Sequence, residues 1–150
     1  MDSMDIDTTG SCLIVDKVLG RKIITNKDDN TTTTMYYIKW KSLSYLHASW
    51  ETYHDIISVD NNSSSIIESF VNTNSSIDDD DSKKRLGIIN DDNYQYFDSS
   101  NTIIENVIGC SNSNHNHSTS SMNDLINSND DDDVSYLVKW VGLSVDEATW

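Results

Sequence analysis

Two stretches of this chain repeat each other. Tyr36 to Trp50 reads YYIKWKSLSYLHASW, and Tyr136 to Trp150 reads YLVKWVGLSVDEATW. Tyr, Lys, Trp, Leu, Ser, Ala and Trp fall at the same seven places in both. Two of those places hold Trp, a rare residue, so chance is a poor explanation. An upstream pair matches as well: Leu13 to Gly20 is LIVDKVLG and Thr102 to Gly109 is TIIENVIG. A repeat of this length divides the 150 residues into two small modules rather than one continuous core.

Within each copy the apolar period is that of a strand. Tyr36, Ile38 and Trp40 share one face, and Tyr37, Lys39 and Lys41 share the other. The second copy sets Tyr136, Val138 and Trp140 against Leu137, Lys139 and Val141. Leu43-Ser44 and Leu143-Ser144 begin turns. Trp50 and Trp150 begin a third short strand and are expected as core aromatics under the sheet. Ser65-Ile66-Ile67-Glu68 has the form of a capping box. Ile66, Ile67, Phe70 and Val71 follow as an apolar stripe, so a helix is predicted from about Ile66 to Thr73. A small sheet needs such a partner to cover its open face. The fold class is therefore α+β, mainly β.

The remainder is polar. Asn, Ser, Thr and Asp make up nearly half of the chain, too much for it all to repay its ordering entropy by burial. Residues 1–12 read as a disordered N-terminus and Thr25 to Thr34 as a polar loop. Residues 74–101 form a linker, in which Asp78, Asp79, Asp80 and Asp81 are expected to keep the chain extended by repulsion. Tyr94 to Phe97, rich in aromatics, is a candidate to dock that linker back onto a module. Ser111 to Asp133 reads as an irregular low-complexity insert. The modules then span residues 13–73 and 102–150. The second has no counterpart to Glu51–Val71, so it is incomplete and the natural protein is expected to continue beyond Trp150.

The charge of -15 disfavours tight nonspecific binding to nucleic acid, since phosphates need Lys and Arg. DNA binding is expected to be weak at most, and a basic partner fits better. No apolar run approaches the ~20 residues that span a bilayer. Cys12 and Cys110 make no disulfide framework, which favours a reducing compartment. His115, His117 and Cys110 match no tetrahedral spacing, so no metal is expected. There is no nucleotide-cradling G-x-x-x-x-G-K-[ST] loop and no placed base for a nucleophile, so neither a cofactor nor catalysis is expected. Lys83-Lys84-Arg85 is a small basic point that either touches DNA, acts in a nuclear signal, or balances the neighbouring Asp run.

Val15-Asp16-Lys17-Val18-Leu19, the Tyr36 to Lys41 strand, Ser49-Trp50-Glu51 and the Ile66 to Val71 helix together resemble a chromodomain, a three-stranded antiparallel sheet closed by a C-terminal helix. The tandem order, with the endings LSYLHASW and LSVDEATW, resembles the N-terminal pair of chromodomain-helicase-DNA-binding (CHD) nucleosome remodelers. The resemblance covers about half of the chain. It implies a nuclear protein, contact with the histone H3 tail and the nucleosome, and an adjoining ATPase motor that this chain does not contain. The family's methyl-lysine cage falls on Leu13, Trp40 and Leu43, and in the second copy on Thr102, Trp140 and Leu143. Each copy keeps one aromatic of three. Trp40 is then either a remaining cage wall or a sheet-packing residue, and Glu51 either a partner for a basic tail residue or a solvated charge. The resemblance also implies that Asp78 to Asp81 restrain the motor. The sequence thus reads as the chromatin-binding segment of a remodeler, or alternatively as a histone-binding adaptor without a motor.

Overall fold

The computed structural model describes residues 13–75, 78–112 and 134–150. The chain divides into two compact units, residues 1–99 and 100–150.

In the first unit β1 (Val15–Thr25), β2 (Thr32–Trp40) and β3 (Ser49–Thr52) form an antiparallel sheet in that order. β1 and β2 pair along nearly their whole length, from Val15 opposite Trp40 to Thr25 opposite Thr32. The hairpin loop is therefore shorter than the predicted Thr25–Thr34: Thr32, Thr33 and Thr34 are β-branched and lie in the ladder. Asn26 and Asp29 close the tip, each accepting a backbone N–H two residues on.

Three helices follow. α1 (Tyr53–Val59) leaves β3 without a loop, α2 (Ser64–Ser75) contains the predicted helix, and α3 (Asp80–Arg85) lies beyond it. The inner face of the sheet supplies Val15, Val18, Ile38 and Trp40 to the core. Ile56 of α1 and Ile67 of α2 close it, with Tyr36, Leu43, Val59, Ile66 and Phe70 packed around them. Ile38 and Ile56 are completely enclosed, and each such side chain contributes about 1.5–3 kcal/mol of transfer free energy.

Several expectations change. Ser65 does not build the capping box; its hydroxyl donates to the Asn62 carbonyl at 3.4 Å, and the helix starts at Ser64, two residues before the predicted Ile66. The turn before α2 is held by Ser63, fully buried, whose hydroxyl donates to the Asp60 carbonyl at 2.7 Å. The segment from Asp78 is not a self-repelling extended chain. Asp79 caps α3 by accepting the Ser82 N–H at 2.9 Å, with acids in the first turn and bases in the last. Those charges offset the helix dipole at both ends, which outweighs their mutual repulsion.

Trp50 is not under the sheet. Register places it opposite Tyr37, on the face away from the core, where it is half-buried. The alternation inside β2 was readable, but the turn between β2 and β3 resets which side β3 presents.

In the second unit β4 (Ile104–Asn112) pairs antiparallel with β5 (Val134–Trp140). The pairing reproduces that of β1 and β2. Ile104 faces Trp140 as Val15 faces Trp40, and Gly109 faces Leu137 as Gly20 faces Tyr37. Both hairpins shift register at the same two points. An isolated bridge joins Val138 to Thr149. Ser111 and Asn112 belong to β4 rather than to the predicted irregular insert; the rest of that insert, residues 113–133 with His115 and His117, and the N-terminal residues 1–12 lie outside the described residues. Trp150 is 65 % exposed rather than a core aromatic. Its neighbour Thr149 meets the sheet through an isolated bridge to Val138 and a side-chain bond to Trp140, and no third strand forms around it among the described residues.

Candidate functional site

Trp40 ends β2 on the inner face. Its indole N–H donates to Ser49 Oγ at 3.0 Å, and that hydroxyl donates to Glu51 Oε1 at 2.6 Å. Ser49 and Glu51 are alternate residues of β3 and point the same way. α1 begins at once: Thr52 Oγ1 accepts the Asp55 N–H at 3.2 Å and donates to Asp55 Oδ2 at 2.6 Å. This reciprocal cap sets Asp55 and Val59, one helical turn apart, over the end of the sheet.

Leu13, Trp40, Ser49, Glu51, Asp55 and Val59 enclose a slot of about 100 Å³. Its exposed lining is almost wholly apolar, supplied by Trp40, Leu13 and Val59, while Glu51 and Asp55 border it with carboxylates that accept from Ser49 and Thr52. Beside it runs a wider groove of about 410 Å³, between Leu13-Ile14-Val15 and the Asp60–Asn62 turn, with Val59 and Ile66 as its floor. Asp60 ties that turn to β1 by accepting the Val15 N–H at 3.1 Å. Leu13 and Val59 line both spaces, so slot and groove adjoin.

Of the residues named from sequence, the structure brings Leu13, Trp40 and Glu51 together. Leu43 is placed elsewhere, packed against the core. Trp140 lies in the second unit, where its indole donates to Thr149 Oγ1 at 2.9 Å, repeating the Trp40–Ser49 bond. Lys39 and Lys139 repeat each other too. Lys39 bonds Asp16 at 3.4 Å and the Trp40 carbonyl at 2.9 Å, and Lys139 bonds Glu105 and the Trp140 carbonyl.

Asp55 and Val59 escaped the sequence reading. The signal was present as Thr52-x-x-Asp55, a second capping box. The acidic run forms no line of free carboxylates: Asp78 pairs with Lys83 at 2.6 Å, Asp79 caps α3, and Asp81 accepts from Tyr94 Oη at 3.0 Å and Arg85 at 3.5 Å. Among the described residues no cluster of His, Cys, Asp and Glu is arranged to hold a metal, and no helix is long and apolar enough to cross a membrane.

The first unit is thus a small α+β domain whose helix-closed sheet leaves an edge groove ending in a Trp-floored slot. The family model of the Chromo (CHRromatin Organisation MOdifier) domain matches residues 13–73, and this segment is a chromodomain. Chromodomains generally bind methylated histone tails, and proteins that carry them are generally chromatin-associated and so nuclear. Among curated proteins, none matches the chain.

Proposed function

We propose that this chain is the chromatin-binding segment of a CHD-type nucleosome remodeler. Its first chromodomain receives a histone H3 tail, and the β4–β5 unit is the second chromodomain of a tandem. The groove and the slot adjoin at Leu13 and Val59, and this adjacency is the observation that carries the reading. An extended tail lies along Leu13 to Val15 and places one Lys side chain into the slot. The tandem reading is supported by the repeated strand pairing, with its two shared register shifts, and by the repeated indole–hydroxyl bond. The chain's own part is binding, while catalysis belongs to the adjoining motor. Asp78 to Asp81 act on that motor as a capped, ion-paired helix start rather than as an extended acidic chain.

The slot's chemistry sets its preference. A quaternary ammonium gains from several aromatic faces, and Trp40 offers one. Glu51 and Asp55 border the slot rather than line it, and their charge attracts a Lys side chain whether or not it is methylated. The domain therefore binds H3 tails weakly and with little dependence on methylation. Calorimetric titration of the whole chain with unmodified and lysine-trimethylated H3 peptides tests this. Weak binding of both within about tenfold is expected, and loss of both in the Glu51→Gln, Asp55→Asn double variant. A trimethyl preference beyond tenfold, ~1.4 kcal/mol, would overturn the account of the slot.

A further inference from the structure

The sheet's outer face is covered by a segment outside the chromodomain match. Tyr96 lies on Gly20 so closely that a Cβ there would stand 2.2 Å from its ring. It meets Trp50 edge-on at 5.2 Å and Tyr37 at 5.6 Å. Phe97 stacks over Tyr37 at 6.2 Å and meets Tyr45 at 4.8 Å. Tyr94 packs edge-on against Tyr96 at 4.8 Å. Cations rim this face: Lys22 Nζ is 4.2 Å from the Trp50 ring centre, and Lys17 Nζ 5.5 Å from that of Tyr45. The covering strap, DDNYQYFD over residues 91–98, is acidic. Tyr96 and Phe97 belong to neither strand ladder, so side chains rather than backbone pairing hold them. The hydrophobic core on the opposite face draws on no residue beyond Phe70.

We propose that this outer face is a second binding surface of the domain, for short acidic segments bearing closely spaced aromatics, and that the Tyr94–Phe97 strap is its occupant in cis. Aromatic rings stack on Tyr37, Trp50 and Tyr45, the seat at Gly20 admits a ring because no side chain fills it, and Lys17 and Lys22 favour acidic flanks. A tethered strap acts at an effective concentration in the millimolar range, so it excludes a partner of like sequence until it is displaced. Strap and partner compete for one site. The surface is separate from the histone slot, which opens on the inner face.

The test uses the full chain with Tyr96→Ala and Phe97→Ala, and a fluorescently labelled peptide of residues 90–99. By anisotropy the double variant is expected to bind the peptide at least tenfold more tightly than the wild type. A peptide lacking the two aromatics does not bind. Gly20→Val leaves the strap's sequence intact but fills its seat; although the β1–β2 register shifts beside Gly20, its φ is not positive and an added Cβ would meet the Tyr96 ring, so the strap rather than the sheet must give way. This variant is expected to gain hydroxyl-radical labelling at Trp50 and Tyr37 while failing to take up the peptide. Equal peptide binding by double variant and wild type overturns the proposal. Should the double variant not fold, unchanged labelling of Trp50 in Gly20→Val overturns it. Binding of a single-stranded oligothymidylate by the double variant in place of the peptide also overturns it, since stacked bases would then be the ligand.

Discussion

Tyr37 stacks on Trp50 across the β2–β3 pair, ring centres 4.8 Å apart and planes 19° from parallel, on the side of the sheet opposite the core. This pair gives a small domain two apolar faces rather than one. The inner face is closed by α1 and α2, and the outer by the strap. Burial raises the phenol pKa of both Tyr37 and Tyr96, as expected where rings are withdrawn from water.

Ile67 is 3 % exposed and meets the sheet from α2. Ile67→Ala is expected to cost about 2–5 kcal/mol, read by denaturant unfolding. A loss under 1 kcal/mol would mean that α2 is not fastened to the sheet.

The Trp40 indole depends on one hydroxyl. Ser49→Ala leaves its N–H, in a residue 5 % exposed, without that acceptor, and about 1–3 kcal/mol is expected to be lost. Ser49→Thr is expected to be nearly neutral, because Thr149 makes the equivalent bond to Trp140. The comparison of the two variants by thermal unfolding separates lost hydrogen bonding from altered packing.

Gly87 ends the α3 turn with φ +67°, and a Cβ there would meet the Arg21 carbonyl oxygen at 2.6 Å. Gly87→Ala therefore combines backbone strain with a clash against β1. About 1–3 kcal/mol is expected, expressed locally as faster hydrogen exchange at Ser82 and Leu86. Unaltered exchange there would show that α3 stands off from β1. The Arg21 Nε–H donating to the Leu86 carbonyl at 2.8 Å argues for close contact.

The strap region has a stability window in pH. Asp79 is held below its ordinary 3.8 chiefly by the Ser82 backbone N–H, and Asp91 chiefly by the Lys84 side chain. A lowered carboxylate pKa stabilises above the unfolded value, and this is lost as pH falls through the folded one. Tyr37, Tyr94 and Tyr96 are raised above 10.0 mainly by burial. Their contribution is complete below the unfolded value and is lost as pH rises through the folded ones. Trp50 protection is thus expected to be fullest between about pH 4 and 10, to weaken slightly on the acid side, where the carboxylates are exposed, and to fall more on the alkaline side together with tyrosinate absorbance. Release of the strap near neutral pH would contradict this assignment.

Local pattern alone determined the repeat, the strand faces and the site of α2. Alternation put Ile38 and Trp40 on one side and Tyr37 and Lys39 on the other, and the sheet keeps that division. The chromodomain reading of residues 13–73 likewise rested on local order. Capping chemistry for α1 and α3 also lay in the sequence, as Thr52-x-x-Asp55 and as an Asp-led, Lys/Arg-ended run, though charge repulsion was wrongly weighted above it in the second. Tertiary structure decided the rest. Which face Trp50 takes depends on the path of the Lys41–Ala48 turn, since period-2 alternation carries no parity across a break. Whether Leu43 lines the slot, and whether Asp55 and Val59 do, depends on how α1 leaves β3. The aromatics of Tyr94 to Phe97 marked a docking segment in the sequence, but that Tyr96 seats on Gly20, 76 residues away in the chain, came from the fold: a ring needs a flat, side-chain-free place on a sheet, and the assembled strands provide it.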